Sequence, residues 1–287
     1  MFHRFLVAAL LSGVSAMPAA AQDAQSLLAK NLEARGGAAA VASIKSVSFN
    51  GRYIAPGDFE LAYKETRAKL GAASVGRVDL TLQGLDVVQS YDGKGAWRIN
   101  PFQGRRDAER MSADEARSMA DSELIEGPLL ASKADGSRVE YLGRDDFDGT
   151  LAYKLKVTQK DGDEFVYWLD PDTSLEIKID ETRRIRGAQQ TTENELGDYE
   201  KIAGVYFPMS IESWSQGHPT ERQRIIIAAG AANGPVSAAF FEEPGGPATP
   251  AKASPEPPDA SQKAKAKPPG KKPSAQTTPP SNPSKGE

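Results

Sequence analysis

The stretch Thr150–Asp180, TLAYKLKVTQKDGDEFVYWLDPDTSLEIKID, limits the possible folds more than any other part of the chain. Leu151, Tyr153, Leu155 and Val157 alternate with Ala152, Lys154, Lys156 and Thr158. A period of two gives a strand one apolar and one polar face. Asp161-Gly162 is a pair suited to positive φ and so to a tight hairpin. Phe165, Tyr167 and Leu169 resume the apolar face on the return strand. Asp170-Pro171-Asp172 turns the chain again, because proline fixes φ and aspartate bonds its own backbone. Leu175, Ile177 and Ile179 then alternate with Glu176, Lys178 and Asp180. Three successive antiparallel strands thus build one continuous apolar sheet face. What covers that face decides what the protein does.

The rest of the central region repeats the pattern. Gln25–Arg35 carries Leu27, Leu28, Leu32 and Ala34 at helical spacing, and Gly36-Gly37 stops the helix. Strand patterns follow at Ile44–Ile54, Phe59–Glu65, Val75–Leu82, Leu85–Tyr91 and Ala96–Asn100. Ser112–Leu130 breaks the series. Ser112 precedes Glu115 by three residues, the capping-box spacing, and Ala116, Met119, Ala120, Leu124 and Ile125 share a helical face. Gly127-Pro128 is expected to end that helix, leaving Leu129-Leu130 as an exposed apolar pair. Strands resume at Ser137–Gly143. Arg183–Tyr199 is polar and reads as one more strand pair. Val205, Phe207, Met209 and Ile211 alternate, and Arg222–Ile227 is the last strand. The expectation is a single, mainly β domain spanning 22–243. It is an antiparallel meander with an N-terminal helix and a mid-chain helical insertion.

Both ends differ from this core. His3 and Arg4, the apolar run Phe5–Val14 and then Ala19-Ala20-Ala21 describe a secretory signal peptide, residues 1–21, cleaved after about Ala21. The run is shorter than the roughly 20 apolar residues a spanning helix needs. Residues 244–287 form a Pro-, Lys- and Ala-rich tail with seven lysines against three acids, in a chain whose net charge is −4. Such a composition buries too little apolar surface to offset chain entropy and is read as a disordered extension. A cationic arm resting on anionic envelope components is the sharper reading. The chain has no cysteine, so disulfides, thiolate metal sites and an acylated N-terminal cysteine are excluded. An exported, periplasmic protein is expected.

Catalytic chemistry is sparse. The only histidine after the signal peptide is His218, in a turn, and no Gly-x-Ser-x-Gly elbow, Walker motif or dinucleotide loop accompanies it. Asp145-Asp146-Phe147-Asp148-Gly149 lacks the distal carboxylate of a calcium loop and reads as a solvated turn. Arg183-Arg184-Ile185-Arg186 and Arg105-Arg106 read as solvated faces, with a headgroup contact as the alternative. Nucleic acid is excluded by the acidic domain and the export signal. No cofactor, metal or enzymatic activity is expected.

Several motifs occur in a particular order: Ala34-Arg35-Gly36-Gly37 before Ile44-Lys45-Ser46-Val47, then Tyr91-Asp92-Gly93, Trp97 and Gly127-Pro128-Leu129-Leu130. Gly143, Phe147-Asp148-Gly149, Tyr153-Lys154-Leu155-Lys156-Val157, Tyr167, Asp170-Pro171, Asp198-Tyr199 and Gly204 complete the series. In this order the chain resembles bacterial outer-membrane lipoprotein-sorting proteins of the LolA/LolB-like superfamily over nearly all of Asp23–Trp214. The resemblance implies a strongly bent, half-open β-barrel whose concave apolar side is closed by helices. It also implies a cavity for lipoprotein acyl chains.

The expected function follows from both lines: a soluble, monomeric carrier or chaperone for an acylated lipoprotein or other lipid, with an inner- or outer-membrane transfer partner. The expected trough is Tyr153, Leu155, Val157, Phe165, Tyr167, Leu169, Ile177, Ile179, Phe207, Met209 and Ile211. Met119, Leu124, Ile125, Leu129 and Leu130 form the expected lid: Ser112–Ala131 is a mobile cover over the apolar face, and ligand entry requires its displacement. An envelope stress sensor or regulator docking a protein partner on the same fold is the second reading, and an exported hydrolase the third.

Overall fold

The computed structural model describes residues 23–245. The expected signal peptide, 1–21, and the expected tail beyond Gly245 lie outside the described residues. Asp23 caps helix α1 (Ala24–Ala34) by accepting from the Ser26 N–H. Gly36-Gly37 does stop α1, but a second helix, α2 (Gly37–Ser43), starts at once. The corner needs glycine. Gly36 has φ 124°, and a Cβ there would fall 2.2 Å from the Gly204 carbonyl oxygen.

Six strands then run β1 (Ser46–Ala55), β2 (Phe59–Leu70), β3 (Ala73–Leu82), β4 (Leu85–Tyr91), β5 (Ala96–Ile99) and β6 (Glu109–Arg110). Helices α3 (Ala113–Ser122) and α4 (Gly127–Asp135) cross to β7 (Arg138–Phe147). Next come β8 (Thr150–Thr158), β9 (Glu164–Leu169), β10 (Glu176–Ile185), β11 (Ala188–Gly197), β12 (Glu200–Ile202), β13 (Val205–Phe207), β14 (Ser210–Ser215) and β15 (Gln223–Ala232). Thirteen strands make one antiparallel sheet in the order β6-β5-β4-β3-β2-β1-β15-β14-β11-β10-β9-β8-β7, and β12-β13 form a separate hairpin. The sheet is open: β6 and β7 are its two edges, and the helical crossover joins one edge to the other.

Short turns keep successive strands adjacent. Gln83-Gly84, Asp148-Gly149, Arg186-Gly187 and Ala203-Gly204 each have positive φ at both central residues, the geometry that matches strand twist. At Asp161-Gly162 only the glycine is left-handed (φ 93°), and its N–H donates to the Gln159 carbonyl at 3.1 Å. Asp170 bonds the N–H groups of Asp172 and Thr173 through one carboxylate oxygen, as the turn chemistry predicts.

Several expectations are corrected. Gly127-Pro128 begins a helix instead of ending one. Proline at the start of a helix loses no hydrogen bond, so it fits there. Leu129 is accordingly buried, not exposed. The run Val205–Ile211 is not one strand; Pro208 interrupts it, leaving β13 in the small hairpin and β14 in the main sheet. The polar segment Arg183–Tyr199 holds the last three residues of β10 and all of β11, which pair as expected, and the last strand extends to Ala232. Leu151 is half exposed, whereas Ala152 is fully buried. The bulge between Tyr141 and Gly143 on β7 lies near this end of β8.

Two cores fill the concave side. Under α2 and the β12-β13 hairpin lie Val41, Ile44, Val47, Phe49, Phe207, Met209 and Ile227. Under α1 and α4 lie Leu27, Leu28, Leu129, Leu155, Val157, Phe165 and Leu169. A third cluster sits on the opposite face. There Phe241 is fully buried against Ala68 and Val75, and its carbonyl accepts from Trp97 Nε1 at 2.8 Å and Ser90 Oγ at 2.9 Å.

Candidate binding cavity

Between the two inner cores the helices leave the sheet uncovered. A cavity of about 280 Å³ opens there, walled by Leu124–Leu129 of the α3–α4 connection, by Tyr167, Ile179 and Leu196, and by Phe207 and Ile211. A second cavity of about 280 Å³ lies beside it under Tyr53, Tyr63, Val78, Leu80 and Val87. Arg67, Ile211 and Ile225 line both, so the two are lobes of one trough.

The expected trough residues divide into three groups. Tyr167, Ile179, Phe207 and Ile211 line the first lobe, together with Leu124, Ile125 and Leu129 of the expected lid. Leu155, Val157, Phe165 and Leu169 are packed core beneath α1 and α4, with Tyr153 and Leu130 at its margin, and Met209 belongs to the other core. Met119 is buried but does not face the cavity. Ile177 is on the wrong side. The register passes from Glu176 opposite Leu169 to Lys178 opposite Trp168, a bulge that leaves Ile177 outward with Phe147 and Arg222. The same bulge turns Glu176 inward.

The polar lining was missed. Glu176 meets Arg35 at 3.2 Å and accepts from Tyr199 Oη at 3.3 Å, while Arg35 Nε donates to the Tyr206 carbonyl. Glu181 accepts from Asn194 at 3.2 Å, and Asn194 in turn accepts from Ser213 Oγ. Burial holds the Glu181 carboxyl above the usual range, with Arg183 opposing that shift. Burial likewise pushes up the phenols of Tyr167 and Tyr199. Arg35 caps a helix, Tyr199 lies between strands and Glu176 is turned inward by the bulge, while Glu181, Asn194 and Ser213 lie on polar stretches, so alternation carries no signal for them. The trough is therefore amphiphilic, not purely apolar.

Arg183 is not on a solvated face. It is buried, donates to Asp121 of α3 at 2.7 Å and to Asp163 at 3.3 Å, and stacks 4.7 Å over the Phe165 ring. Burial alone would pull its pKa down, but Glu181, Asp121 and Asp163 together push it up. On the opposite bank, Tyr63 Oη and Arg67 Nε both donate to Glu65, at 2.8 and 2.7 Å. Glu123, which closes α3, comes within 3.9 Å of the same Arg67. Burial, and then the Glu65 charge, raises the Glu123 carboxyl to about 8, against the pull of Arg67. Lys69 pairs with Glu126 at 2.8 Å, and Arg98 and Arg186 both reach Glu115. The crossover expected to be a loose cover is fastened to β2 and β5 on one side and to β10 on the other.

Among the described residues no helix is long and apolar enough to cross a membrane, and no cluster of three or more acidic or histidine side chains could hold a metal ion. His218 is an exposed turn residue 3.8 Å from Glu221. Nothing in the trough resembles a nucleophile–base pair.

An open antiparallel sheet that wraps around helices and leaves a trough beneath them is the LolA-like fold. Solved structures that share it include the following three. A DUF1329 family protein from Desulfovibrio piger superposes with TM-score 0.54 at 13% identity, covering 76% of this chain and 97% of that one. An outer-membrane lipoprotein-sorting protein domain from Vibrio parahaemolyticus gives 0.52 at 12%, covering 75% and 94%. A LolA superfamily protein from Nitrosomonas europaea gives 0.51 at 16%, covering 77% and 98%. No protein-family model and no curated protein sequence matches the chain.

Proposed function

We propose that this protein is a periplasmic carrier or chaperone for a lipid-bearing client. It acts by binding and release, without bond chemistry. The observation that carries the reading is the two-lobed trough beneath the helical crossover, lined by Tyr167, Ile179, Phe207 and Ile211 and walled by Leu124, Ile125 and Leu129. Each methylene buried there contributes about 0.8 kcal/mol, so a chain of ten gains about 8 kcal/mol before ordering costs. The fold supports this reading, since one protein that shares it is a lipoprotein-sorting domain. The reading takes residues 1–21 as an export signal, so that the client is met in the periplasm, and takes the lysine-rich tail as a source of attraction to anionic envelope components.

Native mass spectrometry of the gently purified mature protein, with titration of a diacylated peptide, tests the proposal. A co-purifying lipid or micromolar affinity for the peptide supports it. Absence of both overturns it, and a stable protein complex in their place favours an envelope regulator.

A further inference from the structure

Hairpin turns of an antiparallel sheet alternate between its two ends, and the two ends of this sheet differ in chemistry. One end holds the β1–β2 turn, the β3–β4 turn and the segment after β5. Ala62 faces Thr81 across β2 and β3, so Phe59, at the start of β2, shares this end with Leu85, at the start of β4. Val88 faces Ile99, so the chain leaving β5 passes beside that same start of β4. Each of the three segments holds a large apolar side chain out in solvent: Phe59 is 55% exposed, Leu85 38% and Phe102 50%. Phe59 and Leu85 have the same strand parity as Tyr63 and Val87, which line the second lobe. Leu61 and Leu82, both partly buried, fill the interval on that face. An apolar strip therefore runs without interruption from the second lobe to the rim. Scattered surface leucines are ordinary, but a strip that continues a cavity marks a contact surface.

Charge says what that surface meets. At the rim Asp58, Asp86 and Asp107 are balanced by Arg105, Arg106 and Arg224. At the other end, where β7 turns into β8 and β9 into β10, the exposed Asp145, Asp146, Asp148 and Asp172 outnumber Arg144 and Lys154. An anionic surface repels the acidic end and so is met by the rim. Leu142 and Leu151 are as exposed as Phe102, but they stand on β7 and β8, the strands that lead to the acidic turn. Phe59 lies between Asp58 and Glu60, and Leu85 lies next to Asp86. Separate apolar points amid charge suit a headgroup layer better than they suit the charge-depleted core of a protein interface. Resting on the carrier reading, we infer that the rim formed by Phe59, Leu85 and Phe102 docks on an anionic phospholipid bilayer. The three side chains sit at the boundary of headgroups and acyl chains, and the strip behind them leads cargo into the second lobe.

The test is flotation of the mature full-length protein with phosphatidylcholine vesicles that contain or lack phosphatidylglycerol. The lysine-rich tail is present in every variant, so differences between variants report the rim. Wild type is expected to float with the phosphatidylglycerol vesicles. Phe59→Ser combined with Phe102→Ser is expected to bind them about tenfold more weakly, because two rings lose their place among the acyl chains. Leu142→Ser combined with Leu151→Ser is expected to bind as wild type does. All four positions are exposed, so both variants are expected to melt with wild type. Wild type that fails to float, a rim variant that floats equally well, or an equal loss in the Leu142 and Leu151 variant each overturns the inference. Titration of the diacylated peptide in solution reads the carrier proposal separately. Wild type that binds the peptide and does not float overturns the docking and leaves the carrier standing. Wild type that floats and binds no peptide overturns the carrier and keeps the docking.

Discussion

The carboxylate of Glu123 occupies the space that a side chain at position 76 would need: a Cβ on Gly76 falls 1.6 Å from Glu123 Oε2. The end of α3 is thus keyed into β3 by the absence of a side chain. Gly76 itself has an ordinary strand φ, so alanine there strains packing and not backbone. Gly76→Ala is expected to cost about 2–3 kcal/mol by urea unfolding. Gly76→Ala combined with Glu123→Ala is expected to recover most of it. Equal losses in the single and double variants would remove Glu123 from the account.

The same carboxyl sets a pH dependence. Burial, and then the Glu65 charge, pushes the Glu123 carboxyl from its ordinary 4.5 in the unfolded chain up to about 8 in the fold. Between those values the folded state holds a proton that the unfolded state has released. Stability from this group is therefore full below pH 4.5 and falls as pH rises toward 8, by up to about 1.4 kcal/mol per pH unit. Glu123→Gln is expected to flatten the slope of melting temperature against pH from 5 to 8. An unchanged slope would show that another group, such as Glu181, governs it.

Arg183→Ala leaves the buried Asp163 and the partly buried Asp121 and Glu181 with one partner fewer. The expected cost is about 3–5 kcal/mol, against less than about 1 kcal/mol for the exposed Arg186→Ala. Hydrogen exchange should show faster exchange in Ala113–Ser122 of Arg183→Ala, with β8 unchanged. In wild type this helix is expected to exchange more slowly once an acyl ligand is bound. Exchange in α3 as slow as in β8, with and without ligand, would make the crossover plain core.

Phe241→Ala is expected to cost about 3–5 kcal/mol, as for any fully buried aromatic. It should also change the near-ultraviolet dichroism of Trp97, whose indole N–H donates to the Phe241 backbone. A variant as stable as wild type would show that the terminal segment merely rests on the sheet.

The legible parts of this fold were those where one residue decides one thing. Tyr167, Leu155 and Phe165 sit inward because a period of two places them there, and Asp148-Gly149 turns because both φ values are positive. Pairings that depend on residues distant in sequence left no local mark. Nothing around Arg183 shows that Asp121 lies opposite, nor around Phe240-Phe241 that Trp97 awaits them. A single unpaired residue at Ile177 reversed which of Glu176 and Ile177 faces the cavity, and period-two reading cannot detect such a slip. For the same reason period-two reading reaches Tyr167 and Ile179 on the cavity wall and not Glu181, Asn194 or Ser213 beside them.

The crossover between β6 and β7 has a mechanical consequence. It ties the two free rims of the sheet together like a purse string, so the gape of the mouth is limited by the slack in this one cord. The slack of that cord lies in its joints, Met111-Ser112, Glu123–Glu126 and Gly136-Ser137, and ion pairs from Arg67, Lys69 and Arg183 hold it taut. The spacing of the two rims is then set by the length of these joints more than by the composition of the trough.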